Sequence, residues 1–179
     1  MFELMSDRFL HQTYLLITQN QRNMNPMNPD IQNLIDKLII AEEVYKKASS
    51  KAHDQPMTDQ IKVLAERKNI LLEDVTKLLT LDMENYKVKW KDRVKAEMEK
   101  VAIELDHIYL RVNQGSILSF CIKREEELIE TYKQALREKN DQVLNALVRD
   151  VLLYQMDESA QLLTELKEKK KSYNFSNNV

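Results

Sequence analysis

Charged residues at positions where a helix should be apolar are the groups of this chain that could do chemistry. Glu42, Glu125 and Glu158 each fall within a run of apolar residues that recur every three or four positions, and Lys68 does the same on a fourth stretch. A charge on the buried face of a helix is costly unless it is paired or bound to a metal ion. Because each residue lies near the middle of its helix, antiparallel packing predicts one polar layer across an apolar core.

Three tyrosines lie close to these charges in the sequence. Tyr45, Tyr132 and Tyr154 occupy the same predicted apolar stripes as the three glutamates. A buried phenol normally finds a hydrogen-bond partner, so we expect these hydroxyls to donate hydrogen bonds to the layer. A glutamate at the edge of a stripe can instead reach water, and that alternative stays open for each glutamate taken singly.

Glutamates contributed by four helices are also how carboxylate bundles hold two metal ions, together with two Glu-x-x-His pairs. Here the residue three positions after Glu158 is Gln161, and a literal match at Glu104 and His107 lies beside the apolar seam of its helix. The missing histidines and the lysine in the layer favour an ion-paired cluster, with no metal, cofactor or catalytic residue. The alternative is a di-iron or di-manganese site, whose ligands would be Glu42, Glu66, Glu125 and Glu158.

The elements that position these residues are predicted to be helices. One glycine and three prolines in 179 residues compare with average frequencies of about 7% and 5%. That composition excludes glycine-rich nucleotide-binding loops and favours an all-α chain. We predict an accessory amphipathic helix and linker over 1–26, an up-down helical bundle over 27–172, and a frayed tail over 173–179.

The few punctuating residues predict where the helices begin and end. Asn28 and Pro29 are typical of a helix start. The predicted helices run from Pro29 to about 50, from 57 to 81, from a cap at Thr80 or Asp82 to Gly115, from 116 to 136, and from Asn140 or Asp141 onward. The third helix is long, and its apolar seam is narrow. That leaves open whether it is a bundle member or a crossover between two hairpins.

Residues 1–20 need separate consideration because they are apolar. Their apolar side chains recur at helical spacing, but Glu3, Asp7 and Arg8 interrupt the front half and no cleavage site follows. We therefore expect an ordered amphipathic helix and no export signal. A role in docking to a partner or to a membrane surface is a further possibility, which the lack of basic residues disfavours. No stretch of about 20 apolar residues predicts a transmembrane helix.

The net charge and the number of cysteines limit which partners and which compartment we expect. The chain has 27 basic and 29 acidic residues and a net charge of −2, whereas a nucleic-acid-binding domain should carry a basic surface. We expect no nucleic-acid partner. Cys121 is the single cysteine, which excludes an internal disulfide and is typical of a cytoplasmic protein.

The predicted fourth helix carries a motif that resembles a known family. Ile117, Leu118, Glu125, Tyr132 and the pair Ala135-Leu136 follow, without a gap, the pattern of a small bacterial ferritin-like four-helix-bundle family classed as a domain of unknown function. The similarity extends over about residues 30–170, through further matches at Leu34, Ile35, Tyr45, Ala48, Arg67, Ile70 and Glu73.

The chain departs from that family in three places. Arg124 stands where the family has glycine, and Ile40, Ala41 and Val44 replace its Asp-Gly and a second glycine. The segment before Pro26 has no counterpart in the family pattern. The resemblance implies a ferritin-like fold, and the loss of the acid at Ile40 weakens any inherited metal site. We therefore expect a non-enzymatic, self-associating bundle with a degenerate carboxylate layer; the alternative is a di-metal protein for oxidation or metal storage.

Overall fold

A computed structural model describes residues 27–51, 55–110, 114–137, 144 and 146–176. These residues form five α-helices and, in the described ranges, no strand: α1 (Pro29–Lys51), α2 (Gln55–Leu78), α3 (Met83–Leu110), α4 (Gln114–Ala135) and α5 (Ala146–Ser176). The all-α prediction is confirmed for this part of the chain. The accessory helix predicted over 1–26 lies outside the described residues.

Side-chain caps begin α1 and α3. The Asn28 Oδ1 atom accepts hydrogen bonds from the backbone N–H groups of Asp30 (2.8 Å) and Ile31 (3.4 Å). The Asp82 Oδ1 atom does the same for Glu84 (3.1 Å) and Asn85 (3.2 Å). Each cap satisfies backbone donors that the first turn of a helix leaves without a partner. Both starts were predicted from the sequence, with Asp82 as one of two candidates.

A left-handed residue ends α2. Thr80 has a φ angle of 50°, the Leu81 N–H donates to the Thr76 carbonyl at 3.0 Å, and the Thr80 N–H donates to the Lys77 carbonyl at 3.1 Å. This bonding is the Schellman type of helix end, which usually places glycine where Thr80 stands. The helix therefore ends at Leu78, three residues before the predicted end.

The predicted role of Gly115 as a helix end is wrong. The third helix ends at Leu110, and Gly115 lies in the first turn of α4, without a positive φ angle. Its carbonyl accepts a hydrogen bond from the Ser119 hydroxyl at 2.6 Å. Gly115 is buried there, so its lack of a side chain serves close packing and not a left-handed turn.

Four of the helices form a ring around one apolar core. Helix α1 packs most extensively on α2, and α4 packs most extensively on α5; α1 also contacts α4, and α2 contacts α5. The side chains predicted to face inward on α1 are all buried: Ile31, Leu34, Ile35, Leu38, Ala41, Tyr45 and Ala48. On α4 the predicted Ile117, Leu118 and Leu128 are buried, while Ile122, Ile129 and Leu136 are partly buried. The order around the ring is therefore α1, α2, α5, α4.

Cross-helix contacts give the directions of these helices. Between α5 and each of its neighbours, residue numbers rise on one helix as they fall on the other. The contacting pairs are Tyr132–Gln155 and Glu126–Lys167 for α4 with α5, and Leu71–Gln155 and Gln60–Lys169 for α2 with α5. Helix α5 is therefore antiparallel to both neighbours. Helices α1 and α2 are joined through only three residues, which also requires an antiparallel return.

Helix α3 lies outside the ring and against α1 and α4. The Tyr86 hydroxyl donates to the Asp36 carboxylate at 2.7 Å, and Arg93 binds the same carboxylate at 2.8 Å. An ion pair between Lys37 and Glu97 continues the contact further along both helices, so α3 runs parallel to α1. Helix α3 is thus the long connection that joins the two hairpins.

The apolar seam of α3 faces the protein interior. Trp90, Val94, Val101 and Leu105 are buried, while Met98 is partly buried against the core. On the other side, Glu104 forms ion pairs with Lys123 and Arg124 of α4. The apolar seam of α3 therefore packs against the core of its own chain.

The first half of α5 presents a different face from the predicted one. The sequence predicts six inward side chains on this stretch: Leu144, Leu147, Val151, Tyr154, Leu162 and Leu166. Leu144, Leu162 and Leu166 are buried as predicted, but Leu147 and Tyr154 are 59% and 64% exposed. The buried positions between Leu144 and Leu162 are Val148, Leu152, Gln155 and Ser159, so two polar side chains lie in the core on this part of the helix.

The end of α5 also differs from the expectation of a frayed tail from 173. The helix continues to Ser176, because Tyr173 packs against the core and the preceding lysines and glutamates are good helix formers. Residues 177–179 lie outside the described ranges. A search of the described helices found none that is long and apolar enough to cross a membrane.

Candidate functional site

A lysine and a glutamate are paired at the centre of the ring. The Lys68 Nζ atom on α2 lies 2.6 Å from the Glu125 Oε2 atom on α4, and each side chain is 1% exposed. The pair joins helices that lie diagonally opposite in the ring. Taking two charges out of water is expensive, and removing one partner of such a pair typically costs about 3–5 kcal/mol. The burial of each charge therefore requires the opposite charge of the other residue.

Tyr45 completes the coordination of the glutamate. Its hydroxyl donates to the Glu125 Oε1 atom at 2.8 Å, and it lies 3.5 Å from the Cys121 carbonyl oxygen. Both carboxylate oxygens of Glu125 are consequently bound, one by a cation and the other by a neutral donor. Charge-assisted hydrogen bonds of this kind are among the stronger ones in proteins. We name Tyr45, Lys68 and Glu125 the core triad.

The environment of the triad suppresses ionisation of the nearby acids. Burial and the Glu125 charge raise the pKa of Tyr45 well above its usual value of 10.0. The same two causes raise the pKa of Cys121 to about 12. At neutral pH the Tyr45 hydroxyl is therefore a donor, and the Cys121 thiol is not a nucleophile, since thiolate is the reactive form.

Tyr132 belongs to a second buried polar group, two helical turns from Glu125. Its hydroxyl donates to the Gln155 Oε1 atom at 3.0 Å, and the Gln155 Nε2 atom donates to the Leu71 carbonyl at 3.0 Å. Burial, followed by the charges of Glu125 and Glu158, raises the pKa of Tyr132. This group joins α2, α4 and α5 by neutral hydrogen bonds. The Tyr132 hydroxyl therefore donates to Gln155 and not to a member of the triad.

Glu42 is buried but does not join the triad. It is 4% exposed, and its carboxylate is bound by the exposed Lys46 at 2.5 Å on the same helix. It lines a groove between α1 and α2 together with Glu66, Lys62 and Asn69. This carboxylate therefore lies at the edge of the core and is neutralised from the solvent side.

The predicted placement of Glu158 and Tyr154 in the layer is wrong. Glu158 is exposed, and Tyr154 is 64% exposed. The Tyr154 hydroxyl bonds to Glu158, and this bond raises the pKa of Tyr154. Both residues were displaced from the core by the rotation of α5, which buries Gln155 and Ser159 in their place. The sequence feature that could have indicated the correct buried face is the helical spacing of Val148, Leu152, Leu162 and Leu166.

The residues present do not fit a two-metal site. Of the four glutamates that could act as ligands, Glu125 has both oxygens engaged, while Glu66 and Glu158 are exposed. His107 on α3 is exposed as well. Among the described residues there is no group of three or more His, Cys, Asp or Glu side chains placed to hold a metal ion. A positive charge at the centre of the layer opposes a second cation there.

The triad can hold helices together, and its geometry offers no nucleophile, open ligand position or substrate cavity. Each member of the triad is bound to another member, which is the pattern of a structural polar network. Comparison of the chain with family models, with curated proteins and with solved structures found no match in any of the three.

Proposed function

We propose that this chain is a non-enzymatic, ferritin-like four-helix bundle that acts by association, with an ion pair where related carboxylate bundles hold metal. The observation that carries the proposal is the 2.6 Å contact between Lys68 and Glu125, both of them buried. Lysine supplies the positive charge that a buried carboxylate requires. Among the described residues, no group of three or more His, Cys, Asp or Glu side chains could hold a metal ion instead.

The helix order supports the ferritin-like part of the proposal. Each helix of the ring runs antiparallel to its neighbours, and α3 returns from the end of α2 to the start of α4 outside the ring. One long crossover between two antiparallel pairs is the topology of ferritin-like folds. The motif on α4 supports the same family: Glu125 and Tyr132, which resemble its pattern, are both buried.

Self-association is proposed through the side of the ring that α3 leaves uncovered. On α2, Val63 and Ile70 are 48% and 57% exposed; on α5, Leu147 and Tyr154 are 59% and 64% exposed. Each pair is spaced by seven residues and so shares one helix face. The charge of Asp74 on α2 acts on the Tyr154 phenol, which supports the two faces being adjacent. A second copy of this chain would bury both.

We place the protein in the cytoplasm, without a nucleic-acid or membrane partner. The near-balanced charge of the chain and the ion pairs of Lys37, Lys77, Lys123 and Lys167 with acidic residues support the absence of a nucleic-acid partner. The free, buried thiol of Cys121 is compatible with a reducing compartment.

Metal titration tests the central part of this proposal. The purified full chain would be incubated separately with Fe(II), Mn(II) and Zn(II), dialysed and analysed for bound metal, with thermal unfolding followed in parallel. We expect much less than one ion per chain. A ligand present at 100 times its dissociation constant would add about 2.7 kcal/mol of stability, so we also expect no increase in Tm.

A matched variant distinguishes a core site from surface binding. One or two ions per chain that survive dialysis, raise the Tm and are lost in Glu125→Gln would contradict the proposal. Metal that is lost in Glu66→Gln but retained in Glu125→Gln would lie in the α1–α2 groove, because Glu66 is exposed there. That result would leave the ion-paired core intact.

A further inference from the structure

A long groove lies between α1 and α3. Its volume is about 640 Å³, within the range of roughly 300–1,000 Å³ that is typical of small-molecule sites. The lining follows α3 from Trp90 to Leu105, a distance of about 22 Å at the rise of an α-helix. Spread over that length, the volume leaves a narrow cross-section. The groove therefore suits an extended chain better than a compact ring system.

The floor of the groove is apolar. It is formed by side chains of both helices, including Ile39, Val44, Trp90, Val94, Met98 and Leu105. The ion pairs of Asp36 and Lys37 with residues of α3 hold the two helices together. The two walls are thus fixed by polar contacts, and the floor between them is left for an apolar ligand.

A row of lysines lines the α3 wall of the groove. Lys87, Lys91 and Lys95 follow each other at intervals of four residues, so they share one face of the helix, and all three are exposed. The ion pairs that α3 forms among the described residues use other side chains, namely those of Arg93, Glu97 and Glu104. The three lysines, which we name the lysine row, therefore attract anions.

The other charges of the lining strengthen this preference. Glu43 and Lys47 lie one turn apart on α1 and offset each other in charge, which leaves Glu99 as the only acid of the lining opposed to the lysine row. Glu99 lies one turn beyond Lys95, and past it the α3 lining is apolar as far as Leu105. The groove is therefore cationic toward the start of α3 and apolar toward its end.

We propose that this groove binds a long-chain fatty acid. The carboxylate lies at the lysine row, and the hydrocarbon chain lies along the floor toward Leu105. Each methylene that the floor buries raises the affinity about fourfold, whereas an ion pair with an exposed lysine adds up to about fivefold. The chain thus supplies most of the affinity, and the lysine row selects an anionic head group. This inference does not depend on the proposed function.

A single hydrocarbon chain is favoured over a protein as the occupant. A helix is about 10 Å across with its side chains, so it would rest on the rim and leave the narrow floor unfilled. The exposed apolar side chains proposed for self-association lie on α2 and α5, so a dimer through them leaves the groove open.

Trp90 is the only tryptophan in the chain and lines the groove, so its fluorescence reports on binding there. The full-length chain would be titrated with decanoate, decanol and decyltrimethylammonium, which share one chain length and differ in head-group charge. Isothermal titration calorimetry measures the same binding without relying on Trp90. We expect saturable binding of decanoate, weaker binding of the alcohol and the weakest binding of the cation. Octanoate, two methylenes shorter, should bind about tenfold more weakly than decanoate.

Two pairs of charge reversals locate the head group. Lys91→Glu with Lys95→Glu reverses two members of the lysine row and should weaken decanoate binding at least about tenfold. The matched control is Lys89→Glu with Lys100→Glu, which makes the same change in net charge at two exposed lysines of α3 that lie outside the lining. The control should bind decanoate nearly as the parent chain does.

A pair of phenylalanine variants locates the hydrocarbon chain. Ala102→Phe fills the apolar end of the groove and should weaken decanoate binding several-fold. Ala96→Phe places the same side chain at an exposed position of α3 outside the lining and should not. Circular dichroism of both variants shows whether the helices are retained.

Three results would overturn the proposal. The first is the absence of saturable decanoate binding, or equal affinity for decanoate and decanol, since no head group would then be selected. The second is equal loss of binding in the two charge-reversed pairs, since decanoate would then respond only to the net charge of the chain. The third is a fall in Tm on adding decanoate, because a ligand of the folded state must raise it.

Discussion

Glu125 has a different helix bound to each of its carboxylate oxygens. Tyr45 of α1 donates to one oxygen, and Lys68 of α2 binds the other. The charge of Glu125 also acts on the buried Cys121 and Tyr132. Burial, and after it the charge of Glu125, thus keeps the Tyr45 and Tyr132 hydroxyls and the Cys121 thiol protonated by raising the pKa of each. This has a direct consequence for stability in alkali.

We expect the protein to lose stability steeply above pH 10. Burial raises the pKa of Tyr45 and of Tyr132 in the folded chain, whereas both phenols titrate near 10 when unfolded. Above that pH the unfolded chain binds fewer protons, so the free energy of unfolding falls as pH rises. Each phenol contributes about 1.4 kcal/mol per pH unit. Tyrosinate absorbance and circular dichroism, measured together against pH, check this.

Two phenylalanine variants separate buried from exposed phenols. Tyr132→Phe removes one buried titrating group, so the slope of stability against pH should become shallower. Tyr154→Phe removes a phenol whose pKa is raised chiefly by an exposed hydrogen bond to Glu158. Solvent screens that interaction, so the slope should change much less than in Tyr132→Phe. Complete ionisation of all seven tyrosines without loss of helix would contradict the expectation.

The helix ends show how local chemistry positions the elements. Asn28 and Asp82 start their helices by capping, and Thr80 ends α2 in a left-handed conformation. That conformation brings the Cβ of any residue except glycine close to the following carbonyl, at a cost of about 1–2 kcal/mol. Thr80 carries this conformational strain in the turn between α2 and α3.

Thr80→Gly should therefore stabilise the protein by about 1 kcal/mol. Urea unfolding of the two chains measures the difference. The matched control is Lys77→Gly, an exposed position inside the last turn of α2, where glycine should cost about 1 kcal/mol. A loss of stability in both variants would show that Thr80 is not strained.

The elements were largely predictable where apolar spacing is unambiguous. The stripe of α1, including Leu34, Leu38 and Ala48, is buried as predicted. On α5 two phases compete, because Leu147 and Tyr154 are as apolar as Val148 and Leu152, and only packing against α2 and α4 selects between them. Gly115 was misassigned because glycine serves both left-handed turns and close packing, and its residue type does not distinguish these uses.

For the candidate site, the sequence predicted which charged residues are buried but not which residues they pair with. Glu42, Lys68 and Glu125 were expected to be buried, and they are. Their partners were less accessible to sequence reasoning: Glu42 is neutralised by Lys46 on its own helix, whereas Lys68 and Glu125 are 57 positions apart. Spacing along one helix indicates burial but not which charge lies across the core.

At the scale of the whole molecule, α3 covers one side of the ring, and no described helix covers the opposite side, which we call the bare side. Helix α3 covers α1 and α4, while α2 and α5 present Ile70 and Leu147 to solvent. Exposed apolar side chains that cluster are typical of interfaces between proteins. The bare side is accordingly where association is expected to occur.

Ile70→Lys should weaken self-association at least about tenfold, because a charged side chain would replace a buried apolar one at the interface. The control is Ile103→Lys on α3, where an isoleucine of nearly equal exposure, 59% against 57%, lies on another helix. Sedimentation equilibrium of the three chains measures the dimer constant. A parent chain that stays monomeric at every concentration, or equal loss in both variants, would contradict the α2–α5 interface.

The diagonal ion pair has a consequence for folding to a single arrangement. Lys68 and Glu125 belong to different hairpins, one formed by α1 and α2 and the other by α4 and α5. Layers of leucine and isoleucine tolerate a slide of one hairpin along the other, because every layer meets a similar one. A slide of one turn, about 5.4 Å, would separate the two charges and leave both buried without a partner, so misaligned hairpins are rejected.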